Sequence, residues 1–260
     1  MNFKKPLDND SSNLINKAAG PSADVVGKSI SSLFKVVCYP LLKVNAYMDE
    51  KIKLMEKETK EKVDKIPLEN RDPSKIGLVL KTIEDSIYQL DSDDLRNMFS
   101  NLIASSVNKS RNEHLSPRFS TTLAQFSHGD AQFLKLLSQD ITSKPSYRFI
   151  LETNDGKIPM SDHYIATNIG SNSNTSWTST VCNELSLDNL IASNIIKVNE
   201  DAWLAAPFYK KFYDSITKST KFKTWEKSIK ANNESYNCTI QKSYIEFTKF
   251  GIEFIKNVVN

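Results

Sequence analysis

The residues VVGKSISSLFKVVCYPLLKVNAYM (25–48) constrain the fold of this chain more than any other stretch. Val26, Ile30, Leu33, Val37, Leu41, Val44 and Met48 recur at steps of four and three, the period of one apolar helical face. No acid interrupts the segment, whereas Lys28, Lys35 and Lys43 dot it. Pro40 removes a backbone donor inside the stripe, which predicts a kink or a division of the helix there. Of the next 17 residues, DEKIKLMEKETKEKVDK (49–65), 12 are charged. Glu56–Lys60, Glu58–Lys62 and Glu61–Lys65 stand at i,i+4 and support a helix. The apolar positions there, Ile52, Met55, Val63 and Ile66, form only a thin seam, which suits a stalk or a self-association surface.

Helical spacing continues past the break at Pro67 and Asp72-Pro73. Residues 74–90 set Ile76, Val79, Leu80, Ile83 and Ile87 on one face, and Asp91 or Ser92 can cap a helix that buries Leu95, Met98, Phe99, Leu102 and Ile103. Ser116-Pro117 opens a helix with Phe119, Leu123 and Phe126 inward. Ser127-His-Gly-Asp130 is a capping-box-like start for 131–137. After Asp140 the pattern changes. YRFILE (147–152), the turn Asn154-Asp155-Gly156 and KIPM predict a hairpin, and GSNSNTSWTST (170–180) reads as a polar loop. LSLDNLIASNIIKVNEDAWLA (185–205) reads as helix, strand, tight turn and second strand, the way a winged-helix unit ends. SYIEF then gives a strand, and Phe250, Phe254, Ile255 and Val258 give an amphipathic helix.

The fold class is therefore mainly α with a smaller α+β C-terminal part. Its parts are a polar leader (1–21), an amphipathic helix with a charged helical stalk (22–66), a helical core bundle (67–140) and a winged-helix-like α+β region suited to sensing a ligand or partner (141–260).

Composition excludes more than it assigns. A hydrophobic content of 39% over 260 residues supports a real core, and seven glycines argue against a fibrous or disordered chain. The net charge of +3 does not by itself imply a nucleic-acid partner, but residues 204–260 hold ten Lys/Arg against five acids, while 111–203 hold seven against ten. Cys38, Cys182 and Cys238 are odd in number and far apart, so neither a zinc site nor a disulfide framework is indicated. No run reaches the ~18 apolar residues of a membrane span, and the basic pair near the N-terminus leads into acids rather than a secretory h-region. No phosphate-binding loop, dinucleotide fingerprint, zinc-protease helix or nucleophile elbow occurs. His114, His128 and His163 have no dyad partner at a telling spacing, and Asp91, Asp93 and Asp94 read as helix capping. The sequence thus predicts no catalysis, no cofactor and no metal.

The residues IPLENRDPSKIGLVLKTIEDSIYQLDSDDLRNMFSNLIASSVN and LSPRFSTTLAQFSHGDAQFLKLL resemble the bacterial abortive infection alpha (Abi-alpha) family. That family pairs an "IP…P" break and an acidic cap with an LRxMFxxLIAS-type helix and a PxF helix. AAGPSADVVGKSISSLFKVVCYPL and YIEFTKFGIEFI resemble its two ends, and 140–245 matches least. The resemblance implies defence against phage, in which the infected cell stops growing or dies, and it carries over no catalytic residue.

Two effector chemistries follow. Val26, Ile30, Leu33, Phe34, Val37 and Leu41 with the spaced lysines suit an interfacial helix or, in an oligomer, a pore in the bacterial inner membrane. The same stripe also suits burial in a core or at an oligomer seam. YKKFYDSITKSTKFKTWEKSIK (209–230) carries seven lysines against Asp214 and Glu226, interleaved with aromatics. Lys218, Lys221, Lys223 and Lys227 can follow phosphates while Trp225 stacks a base, the recipe for single-stranded DNA or a nucleotide oligomer. A solvated lysine face with its aromatics turned inward is the plainer reading of the same residues and fits them better. The functional expectation is a non-enzymatic, homo-oligomeric anti-phage effector. It acts at the membrane through its N-terminal helix and senses a ligand through its C-terminal region. The alternatives are a nucleic-acid-binding regulator or an adaptor acting through proteins such as a neighbouring defence component. The expected location is the cytoplasm, reaching the inner membrane face.

Overall fold

A computed structural model describes residues 30–38, 46–169 and 176–259. Val26, Pro40, Leu41 and the polar leader lie outside the described residues. The chain divides into two compact units: a helical one, 1–135 with 253–260, and a sheet-bearing one, 136–252.

In the helical unit, α1 (30–38) is followed by α2 (Ala46–Asp64), α3 (Ile76–Ser86), α4 (Asp93–Ser106), α5 (Arg118–Ala124) and the start of α6 (His128–Ser138). Local chemistry sets these boundaries. The Ser92 hydroxyl accepts from the Leu95 N–H at the start of α4, relieving one of the orphan donors of a helix N-terminus. At the head of α6 the Ser127 N–H donates to Asp130 Oδ2 at 2.8 Å and the Asp130 N–H donates back to Ser127 Oγ at 3.2 Å, a reciprocal capping box.

The middle helix is α4. Its Leu95, Met98, Phe99, Leu102 and Ile103 are all buried, and it packs against α2, α3 and α5. The thin seam of α2 is consumed in this packing. Ile52, Met55, Val63 and Ile66 are buried, Thr59 Oγ1 donates to Ser100 Oγ at 3.2 Å, and Glu58 reaches across to Arg96 at 3.2 Å. The charged helix therefore lies along the bundle instead of standing free of it. Arg96 is itself buried, yet it finds Glu58, Asp93 Oδ1 (2.9 Å) and the Leu90 carbonyl (3.1 Å), so its charge is compensated. The last helix, α10 (Lys249–Val258), contributes residues from Glu253 onward to this unit. Phe254 meets Phe119 edge-on at 5.5 Å, and Asn101 donates to the Val258 carbonyl at 2.9 Å.

The sheet-bearing unit is antiparallel throughout. β1 (Lys144–Thr153) pairs from Lys144 to Glu152 with β6 (Asn237–Phe247). Its other side is shared by β2 (Gly156–Pro159) and β3 (Tyr164–Ile169). β4 (Ser176–Val181) lies outside β3 and β5 (Ile196–Asn199) outside β6, giving the order β4-β3-β1-β6-β5. The β1–β2 hairpin forms as predicted, with Gly156 at φ +140°, a value that disfavours any Cβ.

Two sequence expectations change here. Residues 176–180 of the supposed polar loop are strand, because six consecutive pairs with β3, from Tyr164↔Val181 to Ile169↔Ser176, outweigh a serine-rich composition. The wing is also half present. α7 (Glu184–Ala192) and β5 form, but 202–205 are not strand, and β5 takes β6 as its partner instead. Trp203 is held by its edge-on contact with Tyr213 at 5.7 Å rather than by a ladder. α7 ends where Asn194 turns left-handed (φ 60°) and the Ile195 N–H donates back to the Leu190 carbonyl. Gly251 sits against the Ile195 carbonyl so closely that a Cβ would lie 1.9 Å from its oxygen.

Among the described residues no helix is long and apolar enough to cross a membrane.

Candidate functional site

The lysine-rich segment 209–230 folds into most of α8 (Pro207–Ile216) and all of α9 (Thr220–Lys230). Pro207 at the first position of α8 and Ser219, whose hydroxyl accepts from the Phe222 N–H at 3.2 Å, set the two starts. Phe212, Tyr213, Ile216 and Phe222 are buried, and Tyr209, Trp225 and Ile229 are packed partly buried against the same core. They meet the alternate residues Tyr147, Phe149 and Leu151 of β1. Trp225 stacks on Phe149 with ring centroids 4.9 Å apart, and Phe222 meets the same ring edge-on at 5.4 Å. Tyr213 donates its hydroxyl to the Ser243 carbonyl at 2.5 Å, and burial pushes its phenol above the ordinary range.

The opposite sides of the two helices are basic. Lys210, Lys211, Lys218, Lys221, Lys223 and Lys227 are exposed. Lys221 projects its ammonium 4.3 Å from the centre of the Tyr164 ring, where the ring's negative face attracts it. Lys230 pairs with Glu226 at 2.7 Å. Lys223, Lys227 and Lys230 border an open groove of about 640 Å³ that also meets Glu226, Ala231 and Glu234. The structure thus brings Lys218, Lys221, Lys223 and Lys227 onto α9 and the turn before it, but it separates them chemically from Trp225. One face of the indole is stacked on Phe149, and Trp225 is half-buried.

The other candidate segment is α1. Ile30, Leu33, Phe34 and Cys38 are buried, at 2% exposure or less, Val37 is half-buried and Lys35 is exposed. Burial, with Glu56 adding to it, pushes the Cys38 thiol up to about 12, so it stays protonated. The apolar stripe of this helix is turned into protein.

Sequence spacing gave no hint of a third cluster. His163 is buried, and Glu184 Oε1 takes both its main-chain N–H and its Nδ1, the latter at 2.9 Å. Its Nε2 faces Glu200 Oε1 at 3.4 Å, Glu200 pairs with Arg148 at 2.9 Å, and Arg148 Nε donates to Gln241 at 2.7 Å. Residues from β1, β6, α7 and the turn after β5 thus converge on one imidazole. His163 is 6% exposed and is held on its Nδ1 side by Glu184, while its buried Nε2 makes no hydrogen bond although Glu200 Oε1 lies 3.4 Å away. Among the described residues no set of three His, Cys, Asp or Glu could hold a metal ion.

No curated protein and no solved structure matches the chain. The family model for abortive infection alpha matches residues 47–258, which include α2–α10, the whole sheet and the lysine face. The chain belongs to the abortive infection alpha family, and its role is accordingly in abortive infection, the defence that halts phage at the cost of the infected cell.

Proposed function

We propose that this protein serves abortive infection as a non-enzymatic binder of nucleic acid, engaging the phosphate backbone through the exposed lysines of α8 and α9. One observation carries the reading. The aromatic side of the helix pair is anchored in the core by Phe222 and Trp225, while six lysines remain in solvent on a rigid frame. Lysine ammoniums are point charges suited to phosphate and poorly suited to bidentate base recognition, and 209–230 contains no arginine. Binding of this kind is electrostatic and indifferent to sequence, because phosphate contacts position without specifying.

The inward rings of 209–230 favour backbone binding over single-strand stacking. Full-length protein is expected to bind mixed-sequence single strands and duplexes with similar affinity, and Lys223→Glu with Lys227→Glu weakens both while leaving the thermal midpoint in place. Tight binding confined to single strands and untouched by those changes would overturn the reading. Membrane action through α1 requires Ile30, Leu33, Phe34 and Cys38 to leave their buried positions, and nothing in the described packing favours that step.

A further inference from the structure

His163, at the start of β3, is buried with its Nε2 unpartnered, and a buried polar atom in that state is costly. The other ring nitrogen is fixed by Glu184. Its Oε1 accepts the His163 main-chain N–H and lies 2.9 Å from Nδ1, and an ionised carboxylate can only accept, so Nδ1 carries the ring proton. In a neutral ring Nε2 is therefore a bare lone pair, set 3.4 Å from Glu200 Oε1, which is also an acceptor. Two facing acceptors repel, and a proton between them turns the repulsion into attraction. The remaining neighbours fit that change. Arg148 pairs with Glu200 Oε2 at 2.9 Å, so the two glutamates and the arginine carry one net negative charge around a neutral ring and none around an imidazolium. Cys182, whose main-chain N–H donates to the His163 carbonyl at 2.7 Å, adds no charge, because burial holds its thiol protonated. Asp162, next in the chain, is exposed.

We propose that His163 is a proton-operated latch: a proton taken up at Nε2 closes the ring onto Glu200 and joins the turn after β5 to α7 through one imidazolium. Nδ1 stays on Glu184 in either state, so the ring is already held in place and only the Nε2 side changes. Glu200 keeps Arg148 on its carboxylate and Gln241 on its carbonyl at 3.4 Å, so the turn stays anchored when the latch opens. From Glu200 the chain runs directly into the segment that leads to α8, the first of the two lysine-bearing helices. Imidazole is the side chain whose charge changes between about pH 5 and 8. The Nε2–H bond to Glu200 exists only in the protonated ring, so its contribution is present on the acid side and lost as pH rises. The inference does not rest on nucleic-acid binding.

Nitrogen NMR and amide hydrogen exchange of the labelled full chain test it. At about pH 8 the His163 ring is expected to bear its proton on Nδ1 alone, and at about pH 5 on both nitrogens. Protection factors of the β5 amides (196–199) are expected to be about tenfold higher at the acid end, the scale of one charge-assisted hydrogen bond. Glu200→Gln places an amide that can donate to the bare Nε2 at either pH, so the acid-to-base ratio is expected to fall to about one. His163→Gln is expected to lose the ratio as well. A proton on Nε2 at both ends, a ring that stays neutral at the acid end, a wild-type ratio near one, or a Glu200→Gln protein that keeps the wild-type ratio would overturn the latch.

Discussion

Segments 25–48 and 209–230 both place lysines on an apolar helical frame, and the fold treats their apolar sides alike but leaves different basic surfaces. In α1 the stripe Ile30, Leu33, Phe34 and Cys38 is buried, and Lys35 is the exposed lysine of the described helix. In α8 and α9 the stripe is also buried, but six lysines remain outside it. An amphipathic period specifies that one side of a helix must leave water, and is silent on whether lipid, another subunit or the chain's own core receives it. What remains in solvent after that burial is the better guide to function. By that measure the C-terminal segment is the one we propose as the interacting surface.

The comparison breaks most readily at Phe34. The ring is 1% exposed, so Phe34→Ala is expected to cost about 3–5 kcal/mol in urea unfolding, and Phe34→Lys more because the charge would be buried unpaired. An unchanged midpoint for Phe34→Lys would free α1 for another surface and reverse the assignment. Trp225→Ala is next. The indole is partly buried against Phe149 and Phe222, and its removal should cost about 3 kcal/mol, whereas Lys223→Glu with Lys227→Glu should stay within about 0.5 kcal/mol. If the tryptophan change proved neutral for folding yet abolished binding, Trp225 would be a stacking residue after all. His163→Gln, which removes the imidazole that Glu184 holds at Nδ1, is expected to cost about 1–3 kcal/mol by thermal unfolding.

A further effect concerns Lys62 on α2. Burial draws its ammonium down from an ordinary 10.5 to about 8, with Glu58 opposing the shift and Lys65 adding to it. Folded Lys62 therefore releases its proton near pH 8, while the unfolded chain holds the proton to about 10.5. The unfolded state binds more protons in that window, so this group makes stability rise with pH from about 8 to 10.5. Comparing Lys62→Met with wild type across that range should show a flatter profile for the variant. Parallel profiles would mean that the ammonium is better solvated than its position implies.

Much of the helical unit was legible because its information is local. Ser92, the Ser127–Asp130 box and the 3–4 spacing of Leu95 to Ile103 each act within one or two helical turns. Strand partnership is not local. β4 is strand because Val181 lies opposite Tyr164, and β5 is strand because Ile196 lies opposite Phe247, and neither partner is visible from its own residues. The His163 cluster was illegible for the same reason, since Glu184, Glu200 and Arg148 meet only once the sheet has assembled. Of the candidate site, the lysines were legible and the destination of Trp225 was not. The alternation Tyr147, Phe149, Leu151 that receives the ring lies more than seventy residues upstream.

The central claim, that the exposed lysines of α8 and α9 bind phosphate while their aromatic neighbours only hold the frame, is tested most directly by salt. Plotting the logarithm of the association constant for a mixed-sequence duplex against the logarithm of salt concentration should give a straight descending line for wild type. The Lys223→Glu, Lys227→Glu protein should show a slope shallower by about 2, one unit for each lost phosphate contact. An affinity that ignores salt, or a slope that the double substitution leaves unchanged, would contradict it.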